Sequence, residues 1–155
     1  MVSNAREIVI ISACLFGWAT SYTGKHHQLD GLEKLAERYT LLPLCPEQLA
    51  GLPTPRIRHE IRGGDGLAVW QGRARVVNEA GGDASEAFMH GARQAAVPVR
   101  LYGVRRAILK AKSPSCGVHT IYNGSFNRTL LAGMGVFTAL LLQLGVACTN
   151  ETQPV

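Results

Sequence analysis

The chain has 155 residues, 46% of them apolar and 17% charged, enough for one well-packed core and too few for two comfortable domains. Sixteen Lys and Arg against eleven Asp and Glu leave a charge of +5, which favours anionic ligands or nucleic acid without requiring either. No apolar run approaches the roughly eighteen residues of a membrane helix, and there is no internal repeat or low-complexity tract, so a helical membrane protein, a repeat array and a disordered chain are excluded.

Arg6 before the apolar run Ile8 to Phe16 has the look of a secretion signal, but Glu7 interrupts the basic lead and no small-x-small cleavage site fits. A first core strand and a cytoplasmic protein are expected instead. Ile8 to Ala13 is continuously apolar and rich in β-branched residues, the pattern of a strand buried on both faces of a parallel sheet. It delivers Ser12-Ala13-Cys14 at its C-terminal end. Phe16 to Lys25, with Gly17, Tyr22 and Gly24, reads as a loop covering that end. Leu29, Leu32, Leu35, Ala36 and Tyr39 then keep helical spacing, with Glu33, Lys34, Glu37 and Arg38 on the other face, so an amphipathic crossover helix is predicted.

Thr40 to Leu44 reads as a second strand. Cys45-Pro46-Glu47 opens a new element with a proline and a carboxylate at its first turn, and a short helix is predicted over Leu49 to Leu52. From Pro53 to Gly66 the composition turns to Pro, Arg, Gly and His, which suits either a solvated, mobile loop or an arginine-rich lip for an anionic or planar ligand. Leu67 to Trp70 and Arg73 to Val77 flank Gln71-Gly72, predicting a small hairpin. Asp83 or Ser85 can cap a helix running to about Tyr102, kinked or divided at Pro98. Arg105 to Lys110 is the third core strand, and it feeds the turn-rich stretch Lys110-Ala-Lys-Ser-Pro-Ser-Cys-Gly117. Tyr122-Asn-Gly-Ser125 is a turn signal between short extended segments from Val118 to Leu131, consistent with another hairpin or an excursion. An apolar helix from Val136 ends at Gly145. Val146 to Thr149 is a last short strand, and Cys148 within it reads as a small buried hydrophobe.

Strands and helices alternate, so the expected fold is α/β: one domain over residues 1–155, a mostly parallel sheet with helices on both faces, Rossmann-like, with small hairpin excursions. In such a sheet all strands end on one edge, in the crevice where ligands bind. That puts Cys14, Cys45 and Cys116 on one rim. None of the four cysteines forms a CxxC pair, and in a reducing compartment they are thiols or metal ligands rather than disulfides. Soft thiolates select zinc, copper(I) or an iron-sulfur cluster, and three ligands instead of four leave a position open to water or substrate. Glu47, close to Cys45 in the chain, is a candidate general base for a water. Ser12, Ser113 and Ser115 are candidate hydrogen-bond donors, with capping and turn bonding as their ordinary alternative.

Ile11-Ser-Ala-Cys-Leu15, Tyr22-Thr-Gly-Lys25, Leu44-Cys-Pro-Glu47 followed by Gly51-Leu-Pro-Thr-Pro-Arg56, and Ala107-Ile-Leu-Lys with Ser113-Pro-Ser-Cys-Gly117 together resemble the thiouracil desulfidase family, in order from about Ile8 to Val146. The resemblance implies an α/β domain holding a [4Fe-4S] cluster by Cys14, Cys45 and Cys116. It implies removal of sulfur from 2-thiouracil or a related thiolated nucleobase without net redox change, giving uracil and hydrosulfide, with the substrate sulfur on the unique iron. Glu47 falls on the catalytic carboxylate that delivers water to the ring carbon, and Ser113 is expected to assist the substrate. Ser12, Ser115 and Tyr22 are further expected contacts to the base. No membrane partner is expected, nor a nucleic acid, and nothing in the sequence signals an oligomeric state. Two other readings stay open on the residues alone. One is a non-catalytic iron-sulfur or zinc module that senses or carries electrons. The other is a desulfidase for thiolated bases within tRNA, suggested by the basic charge but lacking interleaved aromatics.

Overall fold

Strand β1 (Ile8–Ser12) sends alternate side chains to opposite faces: Ile10 enters one fully buried cluster, Val9 and Ile11 another. A strand that is apolar on both sides needs cover on both sides, and the computed structural model, which describes residues 5–154, provides it. The two ends of the expected 1–155 domain lie outside the described residues. Helix α1 (Leu32–Arg38) lays Leu32 and Leu35 over Val9, Ile11 and Tyr39. β2 (Thr40–Leu44) then pairs parallel to β1, Ile8 opposite Thr40 and Ser12 opposite Leu44.

Next come α2 (Pro46–Leu49), β3 (His59–Arg62), α3 (Gly66–Trp70), β4 (Arg75–Asn78), α4 (Ser85–Ala95) and α5 (Val97–Tyr102). β5 (Arg106–Leu109) returns to the sheet on the other side of β1, with Ile10 opposite Ala107. β6 (Thr120–Tyr122) and β7 (Leu130–Ala132) form an antiparallel pair, α6 (Val136–Gln143) follows, and β8 (Ala147–Asn150) pairs parallel to β5. The main sheet therefore has four parallel strands in the order β2-β1-β5-β8. Its second face is covered by the larger core, where Phe88 of α4 and Phe137 and Leu141 of α6 meet Ile10, Ala107 and Leu109.

The α/β reading and all four core strands agree with expectation, as do the helix division at Pro98 and the hairpin between Val118 and Leu131. Three local readings need correction. The short helix starts at Pro46 and ends where it was expected to begin; proline has no N–H to lose in the first turn, and Gly51, at φ 85°, stops the chain. Gly66 to Trp70 is a helix and not a hairpin arm, because Asp65 caps it by accepting the Ala68 N–H. Its would-be partner, β4, instead pairs antiparallel with β3, inside the segment read as a loop or lip. Glu60 is fully buried there because its carboxylate accepts the amides of Gly124 and Phe126, satisfying a charge that otherwise keeps a strand of this composition in solvent.

Candidate functional site

The strand ends open onto a cavity of about 460 Å³, and Cys14, Cys45 and Cys116 all line it. Each arrives by its own device. Cys14 follows β1 in a tight turn in which Leu15 and Phe16 donate to the Ser12 carbonyl, while the Ser12 hydroxyl accepts the Lys110 N–H and ties β1 to the loop after β5. Cys45 sits between the end of β2 and the first turn of α2. Helix α4 presses against that turn, and only glycine fits at its contact point: a Cβ on Gly91 would stand 2.0 Å from the Pro46 carbonyl oxygen.

Cys116 lies in the loop 110–117, held from below by the start of α6. Val136 donates to the Pro114 carbonyl, and Phe137 and Thr138 donate to that of Ser115, so helix amides without intrahelical partners are satisfied by the loop. Gly135 permits the approach, since a Cβ there would meet the Ser115 carbonyl carbon and oxygen at 2.3 Å. Lys112, at φ 66°, carries the turn between β5 and the serines, a conformation that costs a non-glycine residue energy and recurs at functional sites.

The sequence-predicted polar residues converge on the same space with distinct jobs. Ser12, Tyr22, Glu47 and Ser113 line the cavity; Ser115 is buried behind it. The Ser113 hydroxyl oxygen accepts the N–H groups of Ser115 and Cys116, at 3.2 and 3.1 Å, which leaves its own O–H to donate elsewhere. Ser115 donates its hydroxyl to Glu47 Oε2 at 3.1 Å. The other oxygen, Oε1, takes Nε of Arg56 at 3.0 Å, in an ion pair whose side chains are only 4% and 12% exposed. Arg56 also donates to the carbonyls of Thr20 and Pro53 and to the Thr54 hydroxyl, and its Nη2 stands 3.9 Å from the Cys45 sulfur. One guanidinium thus braces the candidate base, a candidate ligand and the loop over β1.

Arg56 lies in the Pro53 to Gly66 segment, whose composition suits either a loop or a lip. Its usable signal was local: Pro53 and Pro55 stiffen the backbone just before it, so its side chain leaves a rigid turn. His59 and Glu60 also line the cavity, and neither carries a recognisable local signal. Cys148, by contrast, packs at the edge of the larger core away from this cavity.

Burial raises the pKa of all four thiols, to about 11 for Cys14, where Cys45 and Glu151 add to it and Lys110 opposes. Cys45 is raised by burial and then by Glu47, against the Gln48 amide and Arg56. Cys116 lies well above the ordinary thiol value, from burial first, with Cys14 and Cys45 contributing and the Ser12 hydroxyl opposing. Cys148, pushed up to about 12 by burial alone, feels no other thiol. Three thiols that each resist ionisation of the next need a cation between them to become thiolates together. Among the described residues no three His, Cys, Asp or Glu side chains are drawn close enough to hold one metal ion directly. The three thiols instead surround a space, which fits a polynuclear soft-metal group filling it.

The model of the 2-thiouracil desulfurase family matches residues 9–153. A solved structure of a [4Fe-4S]-dependent thiouracil desulfidase, TudS, superposes with a TM-score of 0.83 at 39% identity, over 96% of this chain and 93% of that one. The uncharacterised Bacillus subtilis protein YbbK is 37% identical over 146 residues, 94% of this chain and 97% of its own length.

Proposed function

The chain belongs to the 2-thiouracil desulfurase family and is an enzyme; from that premise we propose that it hydrolyses the thiocarbonyl of a free thiolated pyrimidine, with uracil and hydrosulfide as products, using a [4Fe-4S] cluster held by Cys14, Cys45 and Cys116. The observation that carries the reading is the enclosure of three thiols and a braced carboxylate, Glu47, around one cavity. When bound, the cluster supplies a Lewis-acidic iron that polarises the substrate's C=S bond.

The chain's own residues account for the rest. Arg56 and Ser115 occupy one lone pair on each oxygen of Glu47 and fix the plane of the carboxylate. A carboxylate has about four acceptor positions, so the outward lone pairs stay available to take a proton from a water aimed at the ring carbon. A base held in place by two partners needs little reorganisation when that proton moves. The free O–H of Ser113, at the mouth of the cysteine loop, is positioned to donate to the ring's oxygen or sulfur. Ser12 orients the Cys116 side of the site, and the Tyr22 ring stands at the rim as a surface against which a planar base can lie.

The direct test is anaerobic reconstitution with iron and sulfide, followed by quantification of uracil and hydrosulfide from 2-thiouracil. Stoichiometric release of both is expected. A fully cluster-loaded protein that turns over no thiouracil would remove the reading.

A further inference from the structure

His59, on β3, is only 7% exposed and lines the same cavity as Glu47 and the three thiols. Its ring is held on edge against Phe88, centroids 5.1 Å apart and planes at 80°. That contact asks nothing of the nitrogens. Nδ1 is buried with no side-chain partner, and the Ile57 backbone beside the ring favours a proton on it. Nε2 has no protein partner among the described residues and is not sealed off, so it is the nitrogen that the cavity reaches. Burial, the largest influence, lowers the ring's pKa against the opposing Glu47 carboxylate, and the imidazole is neutral near pH 7, with one donor and one acceptor nitrogen.

A residue used only for packing has no reason to be histidine here. An apolar ring of the same size keeps the edge contact with Phe88 and brings no nitrogen that needs a partner. Nε2, which has no protein partner among the described residues, is the atom that packing leaves without a role, and His59 presents it where the cavity is lined. A thiolated pyrimidine presents ring N–H groups beside its C=S and C=O, and these complement an imidazole nitrogen.

Resting on the thio-base reading above, we propose that His59 is a substrate-contact residue whose cavity-facing nitrogen hydrogen-bonds a ring N–H of the pyrimidine, setting which edge of the base faces Glu47. The bond involves the ring common to substrate and product, so it holds both. His59 thus contributes to recognition and orientation, while the carbon–sulfur cleavage is left to the groups described above.

The test uses the cluster-loaded holoenzyme, His59→Phe and His59→Gln, with uracil, 2-thiouracil and its N1-methyl and N3-methyl derivatives as probes. In His59→Phe the Kd for uracil, measured without turnover, and the KM for 2-thiouracil should rise about tenfold, with kcat changed far less and the visible absorbance intact. His59→Gln, which restores a polar atom near the Nε2 position, should stay within about threefold of wild type. The decisive reading is a cycle between protein and ligand: the N-methyl derivative that wild type discriminates against should lose nothing further in His59→Phe. Unchanged uracil binding in His59→Phe, or an equal loss for all four probes, would overturn the contact. Should His59→Phe fail to fold, the N-methyl discrimination of His59→Gln decides, because loss of discrimination with the polar atom retained contradicts the proposal. Wild-type holoenzyme inert toward every thiouracil marks failure of the parent reading, and with it this one; an active wild type with an indifferent His59 marks failure of this one alone.

Discussion

Cys14, Cys45 and Cys116 reach the cavity from loops after β1, β2 and β5 of the parallel sheet, whereas Arg56, His59 and Glu60 reach it from the start of an antiparallel pair that shares no strand with that sheet. The rim gathers its residues by topology: parallel strands end together, and whatever follows them shares an edge. The flank gathers its residues by charge and hydrogen bonding, Arg56 on Glu47 and Glu60 on the amides of Gly124 and Phe126. Damage to the rim should remove the metal group, and damage to the flank should leave the metal and disturb its use.

The largest effect divides the cysteines themselves. Cys116→Ser is expected to abolish the visible absorbance of the reconstituted protein and all turnover, since hard oxygen is a poor substitute for a soft thiolate ligand. Cys148→Ser, which sits among apolar residues and sees no other thiol, should keep both and lose only about 1 kcal/mol of stability. Iron content and a urea midpoint measure the two outcomes. Equal iron in both variants would break the division between rim and remainder.

The flank's largest contribution runs through one ion pair. Glu47→Gln should retain the cluster's absorbance and lower turnover by about 100-fold or more, the ordinary worth of a positioned base. Arg56→Ala should cost about 3–5 kcal/mol in stability because it leaves a buried carboxylate without its partner, and it should lower kcat as well. A charge-retaining Arg56→Lys should recover part of the stability but little of the rate, as an ammonium cannot hold Glu47, Thr20 and Thr54 in one fork. If Arg56→Ala instead loses the cluster while Glu47→Gln keeps it, the 3.9 Å approach of Arg56 to Cys45 matters more than its bond to Glu47.

The same division explains what could be read from the sequence. β1 and β5 were legible because a central strand buried on both faces writes its burial into consecutive residues, the half-buried edge strands β2 and β8 were legible as short runs between helices, and that alternation then placed three thiols on one rim. β3 was not, because half of His59-Glu-Ile-Arg62 is charged, and Glu60 is buried only through amides contributed by a loop far along the chain. Arg56 likewise takes its meaning from Thr20 and Glu47, partners that folding supplies. Ser113 and Ser115 show the limit at finer grain: both were legible as polar loop residues, but only the turn geometry separates the one facing the cavity from the one that braces Glu47.

A smaller effect sharpens the comparison by finding the flank's device at the far edge of the rim. Past β8, Glu151 accepts Lys110 Nζ at 2.7 Å with one oxygen and the Ala111 N–H at 2.8 Å with the other, clamping the start of the loop that carries Cys116. Burial raises the Glu151 pKa, but the bonds from Lys110 and Ala111 outweigh it and hold the carboxyl below its ordinary value of 4.5. With the folded value depressed, the unfolded chain binds a proton first as pH falls. The stabilisation is therefore fully present above about pH 4.5 and is lost as pH drops through the folded value. The pair is partly exposed, 29% and 23%, and about 0.2–1 kcal/mol is expected from it at moderate salt. Urea midpoints should show Glu151→Gln less stable than wild type near pH 7, with the gap closing as the pH falls below 4.5 and through the folded value. A gap that persists in acid would mean that Glu151 acts through packing rather than charge, and that the rim needs no ionic clamp.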